Sequence, residues 1–285
     1  MNNSNKFSEN LVGQISLTGD LCSGKSTTCD LLTKSLGMTY MSIGTIFRKE
    51  AEEKGISILE LNKQYEGTRN DVALDRKLFD LRSTDAIVID ARLGWFFVPE
   101  SFKVFLKTKP SEIVRRARKS DRGNVEMYSN DYEAFKHLTA RKQSELDRFN
   151  NLYFIDFNKP SNFDLVIDTT CKTPAQVTEE IIDGFKKFKE NKIKFFNFNN
   201  LMPTQSVREI NENYSKTCDR EDPVVISRVD NFYWIIDGHH RAIKYKHEGN
   251  PVPCVIDNRK IVDREIRNLY DWEEAFKFRY TFYPF

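Results

Sequence analysis

Two apolar patterns alternate along the first two thirds of the chain. Short apolar runs, Gln14-Ile15-Ser16-Leu17, Ala86-Ile87-Val88-Ile89-Asp90 (continuous up to its carboxylate), Phe102-Lys103-Val104-Phe105-Leu106 and Asp164-Leu165-Val166-Ile167-Asp168, predict strands of a parallel sheet. Between them lie stretches of helical spacing. Residues 26–36 place Leu31, Leu32 and Leu36 on one stripe, with Gly37 as the stop. Ser42 caps a helix running to residue 53, and residues 58–65, 71–81, 111–119 and 131–150 follow the same period. This order predicts an α/β fold, a doubly wound parallel sheet with helices on both faces and a ligand at the carboxyl ends of the strands.

The pattern changes near Asn191, where a basic helix end (Phe185-Lys186-Lys187-Phe188-Lys189) runs into a new strand. Beyond it the spacing predicts a helix over 206–215, strands over 223–227 and 232–236, a helix over 239–248 and a strand over 252–256. The expected organisation is a flexible polar tail over 1–10, a first domain over 11–190, and a smaller α+β domain over 191–285. The last domain includes an aromatic tail (Tyr270, Trp272, Phe276, Phe278, Tyr280, Phe282, Tyr283) that reads as packing surface. A length of 285 residues accommodates two such units.

Charge narrows the partners. Lys and Arg number 44 against 42 Asp and Glu, so the net charge is +2 and no strongly cationic nucleic-acid or membrane surface is expected. No apolar run reaches membrane-spanning length, and the N-terminus carries no apolar signal core. The five scattered cysteines form no C-x-x-C pair and have no histidine at metal-ligand spacing, which together predict a reduced, cytoplasmic protein. The sequence assigns no oligomeric state.

Candidate chemistry concentrates in Gly19-Asp20-Leu21-Cys22-Ser23-Gly24-Lys25-Ser26, a complete G-x-x-x-x-G-K-[ST] loop delivered by a strand and followed by a helix. The glycines let the backbone wrap phosphates, helix N–H groups face the anion, Lys25 supplies a point charge, and the Ser26 hydroxyl reaches Mg2+. Gly19, Cys22, Ser23, Gly24, Lys25, Ser26 and Thr27 are therefore expected to bind ATP. Cys22 reads as a small loop-filling residue rather than a reactive thiol. Asp90 closes its strand as a carboxylate suited to orient Mg2+ through water.

With Ser42-Ile43-Gly44-Thr45-Ile46-Phe47-Arg48, Asp90-Ala91-Arg92-Leu93 and Tyr153-Phe154-Ile155-Asp156, the loop makes residues 11–185 resemble cytidylate kinases, particularly the archaeal type. The resemblance implies a nucleoside monophosphate kinase-like sheet, ATP and Mg2+ as cofactors and a nucleotide acceptor of the CMP or dCMP kind. It also implies that the helix opened at Ser42 carries an acceptor-gripping arginine, Arg48, joined by Arg92 from the strand end. The basic lid would fall on Arg115, Arg116, Arg118, Lys119 and Arg122, with Arg118 and Arg122 favoured, and Arg141 and Arg148 would turn toward the donor. Phosphoryl transfer needs such cations to cancel charge and hold both anions in line, and arginine suits phosphate. One residue departs from the pattern. Asp20 places a carboxylate beside the phosphates, where it would serve as base for a hydroxyl acceptor such as a small metabolite, amino acid or modified nucleoside.

In the second domain, Asp237-Gly238-His239-His240-Arg241 follows a strand and opens a helix. With Leu201-Met202-Pro203-Thr204-Gln205 and Gly249-Asn250-Pro251-Val252-Pro253, it resembles the ParB/sulfiredoxin-like fold, including free serine kinases that carry D-G-H-H-R. The resemblance implies a nucleotide or phosphorylated ligand held by Asp237, Gly238, His239, His240 and Arg241, with His240 active in any chemistry and Glu209, Glu212 or Glu221 as base. The motif contains no cysteine, which excludes sulfiredoxin chemistry. A nucleotide-sensing, DNA-associated regulator is the competing reading, disfavoured because basic and acidic residues nearly balance.

Overall fold

The computed structural model describes residues 12–65, 69–119, 128–204, 221–229 and 231–257. Among these the chain divides into two compact units, one drawn from Met1–Lys77, Thr84–Trp95 and Ser101–Phe188, the other from Leu78–Ser83, Phe96–Glu100 and Lys189–Phe285.

The first unit is built on five parallel strands in the order β2-β3-β1-β4-β5: β1 (Gln14–Gly19), β2 (Thr39–Ser42), β3 (Ile87–Asp90), β4 (Phe102–Lys107) and β5 (Leu165–Asp168). β1 and β3 are buried almost throughout because helices cover the sheet, which is why β3 reads as an apolar run up to Asp90. The helices are α1 (Lys25–Leu36), α2 (Ile43–Lys54), α3 (Ile58–Tyr65), α4 (Arg69–Asp80), α5 (Gly94–Phe97), α6 (Pro110–Lys119), α7 (Asp131–Tyr153) and α8 (Pro174–Glu190), the last turns of α4 and α5 counting with the second unit. Ile15, Leu17, Val88, Val104 and Leu106 of the sheet pack with Cys29 and Leu32 of α1 and Val177, Ile181 and Phe185 of α8.

Register carries this core to the site. Leu17 and Ser42 both stand beside Asp90, and Gly19 stands beside Leu106, so loop, strand-end carboxylate and acceptor helix begin at one edge of the sheet. Ser42 caps α2 as expected, its Oγ accepting from the Thr45 N–H at 3.2 Å. β2 and α7 depart from the sequence reading in ways that bear on the site. β2 is a strand with no apolar run, since Thr39 and Tyr40 are exposed. α7 runs three residues past its expected end, stopping where Phe154 takes a left-handed φ of 56° and its N–H returns to the Asn150 carbonyl.

The second unit holds a mixed sheet, β6 (Ile193–Phe196), β7 (Leu201–Met202), β8 (Val224–Val229), β9 (Phe232–Asp237) and β10 (Val252–Ile256), in the order β6-β10-β8-β9-β7, with α9 (His239–His247). Its core joins Phe196, Leu201, Val224, Ile226, Tyr233, Ile235, Ile243 and Val252. The unit is discontinuous in sequence. Arg82, 2% exposed, donates to Phe97 O (2.5 Å), Asn231 O (2.7 Å) and Asn200 Oδ1 (2.6 Å), and its guanidinium lies over the Phe79 ring. Phe96 and Phe97, prominent in the sequence after Arg92, are thus part of this unit, whereas Trp95 meets Phe163 edge-on in the first.

The helix expected over 206–215, Arg122, Glu209, Glu212 and the tail after residue 257 lie outside the described residues. Among the described residues no helix is long and apolar enough to cross a membrane.

Candidate active site

The loop leaves β1 at Gly19, where a side chain would overlap the Leu106 carbonyl; the Asp20 N–H donates to that same oxygen at 2.9 Å. Glycine is required there by close backbone approach. Gly24 ends the loop as the N-cap of α1, so the exposed Ser26 and Thr27 stand on its first turn. Lys25 Nζ reaches back over the loop to Asp20 O (2.8 Å), Gly19 O (3.1 Å) and Ser23 Oγ (3.4 Å). The Cys22 side chain is buried, while its carbonyl accepts from Arg116 Nη1 at 3.4 Å.

Asp90 is the hub of the strand end. Its Oδ2 accepts from Ser26 Oγ at 3.2 Å, Tyr40 OH at 3.3 Å and Ser42 Oγ at 3.4 Å. Although the Tyr40 ring is partly exposed, desolvation at its hydroxyl end pushes the phenol up to about 12 and the Asp90 charge adds to it, so Tyr40 stays a neutral donor. Burial also raises the Cys29 thiol, with Asp90 reinforcing it, which keeps that thiol protonated. Ser26 Oγ and Asp90 Oδ2 are hard oxygen donors of the kind Mg2+ takes, and one hydroxyl with one carboxylate leaves its other positions to phosphate oxygens and water. The residues present fit the ion.

The candidate arginines are each held by partners of their own. Arg92 donates from Nε to Glu145 Oε2 at 2.7 Å and from Nη1 to the Gly19 carbonyl. Arg141 donates to the other Glu145 oxygen at 3.1 Å. Burial pushes the Glu145 carboxyl up, but the Arg92 and Arg141 charges outweigh it and hold the group at about 2. Arg48 donates to Thr45 Oγ1 at 3.1 Å, one turn into the helix that Ser42 caps. The buried Arg148 lies over the Phe149 ring. Arg118 pairs with Asp131 at 2.6 Å between exposed side chains, so its hydrogen bond leads away from the loop.

Asp20 sits differently from the expectation of a base. It is 8% exposed, its Oδ2 accepting from the Thr108 N–H at 2.9 Å and its Oδ1 paired with Lys142 at 3.0 Å.

Sequence reasoning passed over Tyr40, Lys142 and Glu145, and did not single out Arg116, which braces the loop through Cys22 O and Thr169 O. A signal existed for Glu145 in its i,i+4 spacing from Arg141. Lys142 and Asp20 meet across 122 positions, and nothing local marks them.

In the second unit, Gly238 takes a φ of 95° at the start of α9, and a side chain there would approach Arg241 Nη2 to 2.7 Å. Arg241 is 7% exposed and donates to Asp237 Oδ2 at 2.8 Å and Pro223 O at 3.4 Å. His239 Nε2 accepts from the Thr204 N–H at 3.2 Å, which puts any ring proton on Nδ1. Burial, aided by His240, holds that imidazole down at about 4. The structure thus groups the five motif residues at one helix start but commits His239 to the fold.

The AAA domain family matches residues 15–137. A cytidylate kinase of Sulfurisphaera tokodaii is 34% identical over 176 residues, covering 61% of this chain and 95% of the relative. One of Ignicoccus hospitalis is 33% identical over 58% of this chain and 94% of its own length. An S-adenosylmethionine-dependent nucleotide dehydratase of Lacinutrix mariniflava is 32% identical over 194 residues, 67% of this chain but 40% of that protein. The phosphate loop and these relatives make the protein an ATP-dependent kinase that uses ATP with Mg2+, and through its first unit the chain belongs to the cytidylate kinase family.

Proposed function

We propose that the first unit transfers the γ-phosphoryl group of ATP to a nucleoside monophosphate, CMP or dCMP. The observation that carries this reading is the engagement of Asp20. Both of its oxygens are occupied by Thr108 and Lys142, so it serves to fix the loop rather than to take a proton. A phosphate acceptor is already nucleophilic and needs no such base, whereas a hydroxyl acceptor benefits from one. Names given to relatives on two kinds of protein, cytidylate kinases and a nucleotide dehydratase, also support a nucleotide.

In this reading the loop N–H groups and Lys25 hold the donor phosphates, and Ser26 with Asp90 would hold Mg2+, which would supply charge neutralisation to the phosphates. Arg48 and Arg92 are assigned to the acceptor phosphate, and Arg141 to the donor. Arg118, once released from Asp131, and Arg122 would complete the charge cancellation from the lid. ATP turnover against CMP, dCMP, other monophosphates and hydroxyl acceptors tests the assignment. Phosphorylation of CMP or dCMP, lost in Lys25→Ala and kept in His240→Ala, is expected; turnover of serine or another hydroxyl in place of monophosphates would overturn it.

For the second unit we infer a ParB/sulfiredoxin-like module that holds a nucleotide or phosphorylated ligand at Asp237–Arg241. Its support is Arg241, whose buried Nε has no hydrogen-bond partner among the described residues. Backbone N–H groups at the start of α9 add the usual anion preference, and His240 rather than His239 is assigned to the ligand because His239 accepts from Thr204. Nucleotide binding that survives Lys25→Ala and disappears in Arg241→Ala is the expected result; binding lost entirely in Lys25→Ala refutes the second site.

A further inference from the structure

Glu145 lies on α7, is 5% exposed, and is shared by two arginines from separate elements. Arg92, two residues past β3, takes one oxygen at 2.7 Å, and Arg141, one turn back along α7, takes the other at 3.1 Å. Arg92 also donates from Nη1 to Gly19 O, and among the described residues its Nη2 makes no hydrogen bond. The guanidinium is therefore held at Nε and at Nη1, which fixes its plane and leaves Nη2 for a ligand. Lys142, next to Arg141, pairs with Asp20 in the loop, so one stretch of α7 ties down both the phosphate loop and the arm at the end of β3.

We propose that Glu145 is a positioning residue for phosphoryl transfer, locking Arg92 and Arg141 into one rigid pair across the reacting phosphates. The proposal rests on the assignment of Arg92 to the acceptor phosphate. Two long cationic side chains brought close repel each other and sample many rotamers; a buried carboxylate between them removes both problems before the phosphates arrive. Preorganised charge contributes to the rate because no reorganisation is needed during the reaction. Glu145 touches no phosphate in this scheme. It acts through the angle at which Arg92 presents its outer N–H groups, and an error of about 1 Å there costs on the order of 100-fold.

The test is steady-state kinetics with CMP and Mg-ATP on Glu145→Gln, Glu145→Asp, Arg92→Ala and the double variant Glu145→Gln/Arg92→Ala, with thermal melts alongside. Glu145→Gln is expected to lower kcat/KM for CMP by about 10- to 100-fold. The same change made on Arg92→Ala is expected to cost little more, because the group it positions is already gone. Glu145→Asp keeps the charge but withdraws it by one methylene, so it should melt like wild type and still lose kcat. If Glu145→Gln does not fold, the Asp variant carries the test. Losses that add fully in the double variant, or a Glu145→Asp enzyme with wild-type kcat, would overturn the proposal. If Arg92→Ala leaves CMP kinetics unchanged, it is the acceptor assignment that fails; an impaired Arg92→Ala beside a silent Glu145→Gln refutes the positioning role alone.

Discussion

Ser26 Oγ lies 3.2 Å from Asp90 Oδ2 although 64 positions separate them. The parallel pairing of β1 with β3 makes the contact unavoidable, since it sets Leu17 beside Asp90 and starts the loop at the same edge. Two hard oxygens are thereby aligned before any ion or nucleotide binds. Asp90→Asn keeps the shape and removes the charge, so the Mg2+ concentration for half-maximal activity should rise by roughly 10- to 100-fold. A Mg2+ titration at fixed ATP checks this, and superimposed curves for variant and wild type would remove Asp90 from the ion's surroundings.

Lys25 tests the donor side. Its ammonium is the one side-chain cation that reaches the carbonyls of Gly19 and Asp20 from within the loop itself. Lys25→Ala should lower kcat by about 100- to 1,000-fold, the usual cost of losing one preorganised donor to a developing anion. Lys25→Arg should recover little, because a planar fork does not replace a compact ammonium in a loop this tight. Near-wild-type turnover of either variant would move the transfer chemistry away from this loop.

Arg82 tests the second unit. Its three acceptors, Phe97 O, Asn231 O and Asn200 Oδ1, come from three separate segments, so one guanidinium holds the unit's discontinuous pieces together. Arg82→Met fills similar volume but leaves buried acceptors unpaired at about 1–3 kcal/mol each. The melt of this unit, followed through the buried Trp234, should shift down by several degrees, and Arg82→Lys should not restore it because an ammonium cannot match the fork. An unshifted melt would show that the clasp contributes nothing measurable.

The phosphate loop, β1, β3, β4 and β10 were legible because their physics is local: close glycine approach, short apolar-rich runs and turn residues at their ends. β2 was not, since Thr39 and Tyr40 are exposed and the strand exists through pairing with β3. The partners of Asp20 were hidden for a related reason. A carboxylate in a phosphate loop reads as a base until its partners are known, and those partners, Thr108 and Lys142, are 88 and 122 positions away. Glu145 hid in a polar helix whose composition suggests a solvated face. The inclusion of Leu78–Ser83 and Phe96–Glu100 in the second unit also left no periodic trace, because each is too short to show a period.

His239 links the second unit's stability to pH. The ring is 3% exposed, its Nε2 accepts the Thr204 N–H, and burial followed by the His240 charge holds its value at about 4, against the weaker opposing pull of Asp237. A folded-state value below the unfolded one, near 6.5, means that the unfolded chain binds the proton more readily. The contribution of the neutral ring is therefore complete above pH ~6.5 and is lost as pH falls toward ~4, by roughly 3 kcal/mol over the window. His239→Gln keeps an acceptor for Thr204 without a titrating group. Denaturation midpoints followed through Trp234 should fall more steeply between about pH 6.5 and pH 4.5 in wild type than in His239→Gln, the difference isolating the histidine from carboxylates common to both. Parallel profiles would show that the ring gains its proton in the folded unit as easily as in the unfolded chain.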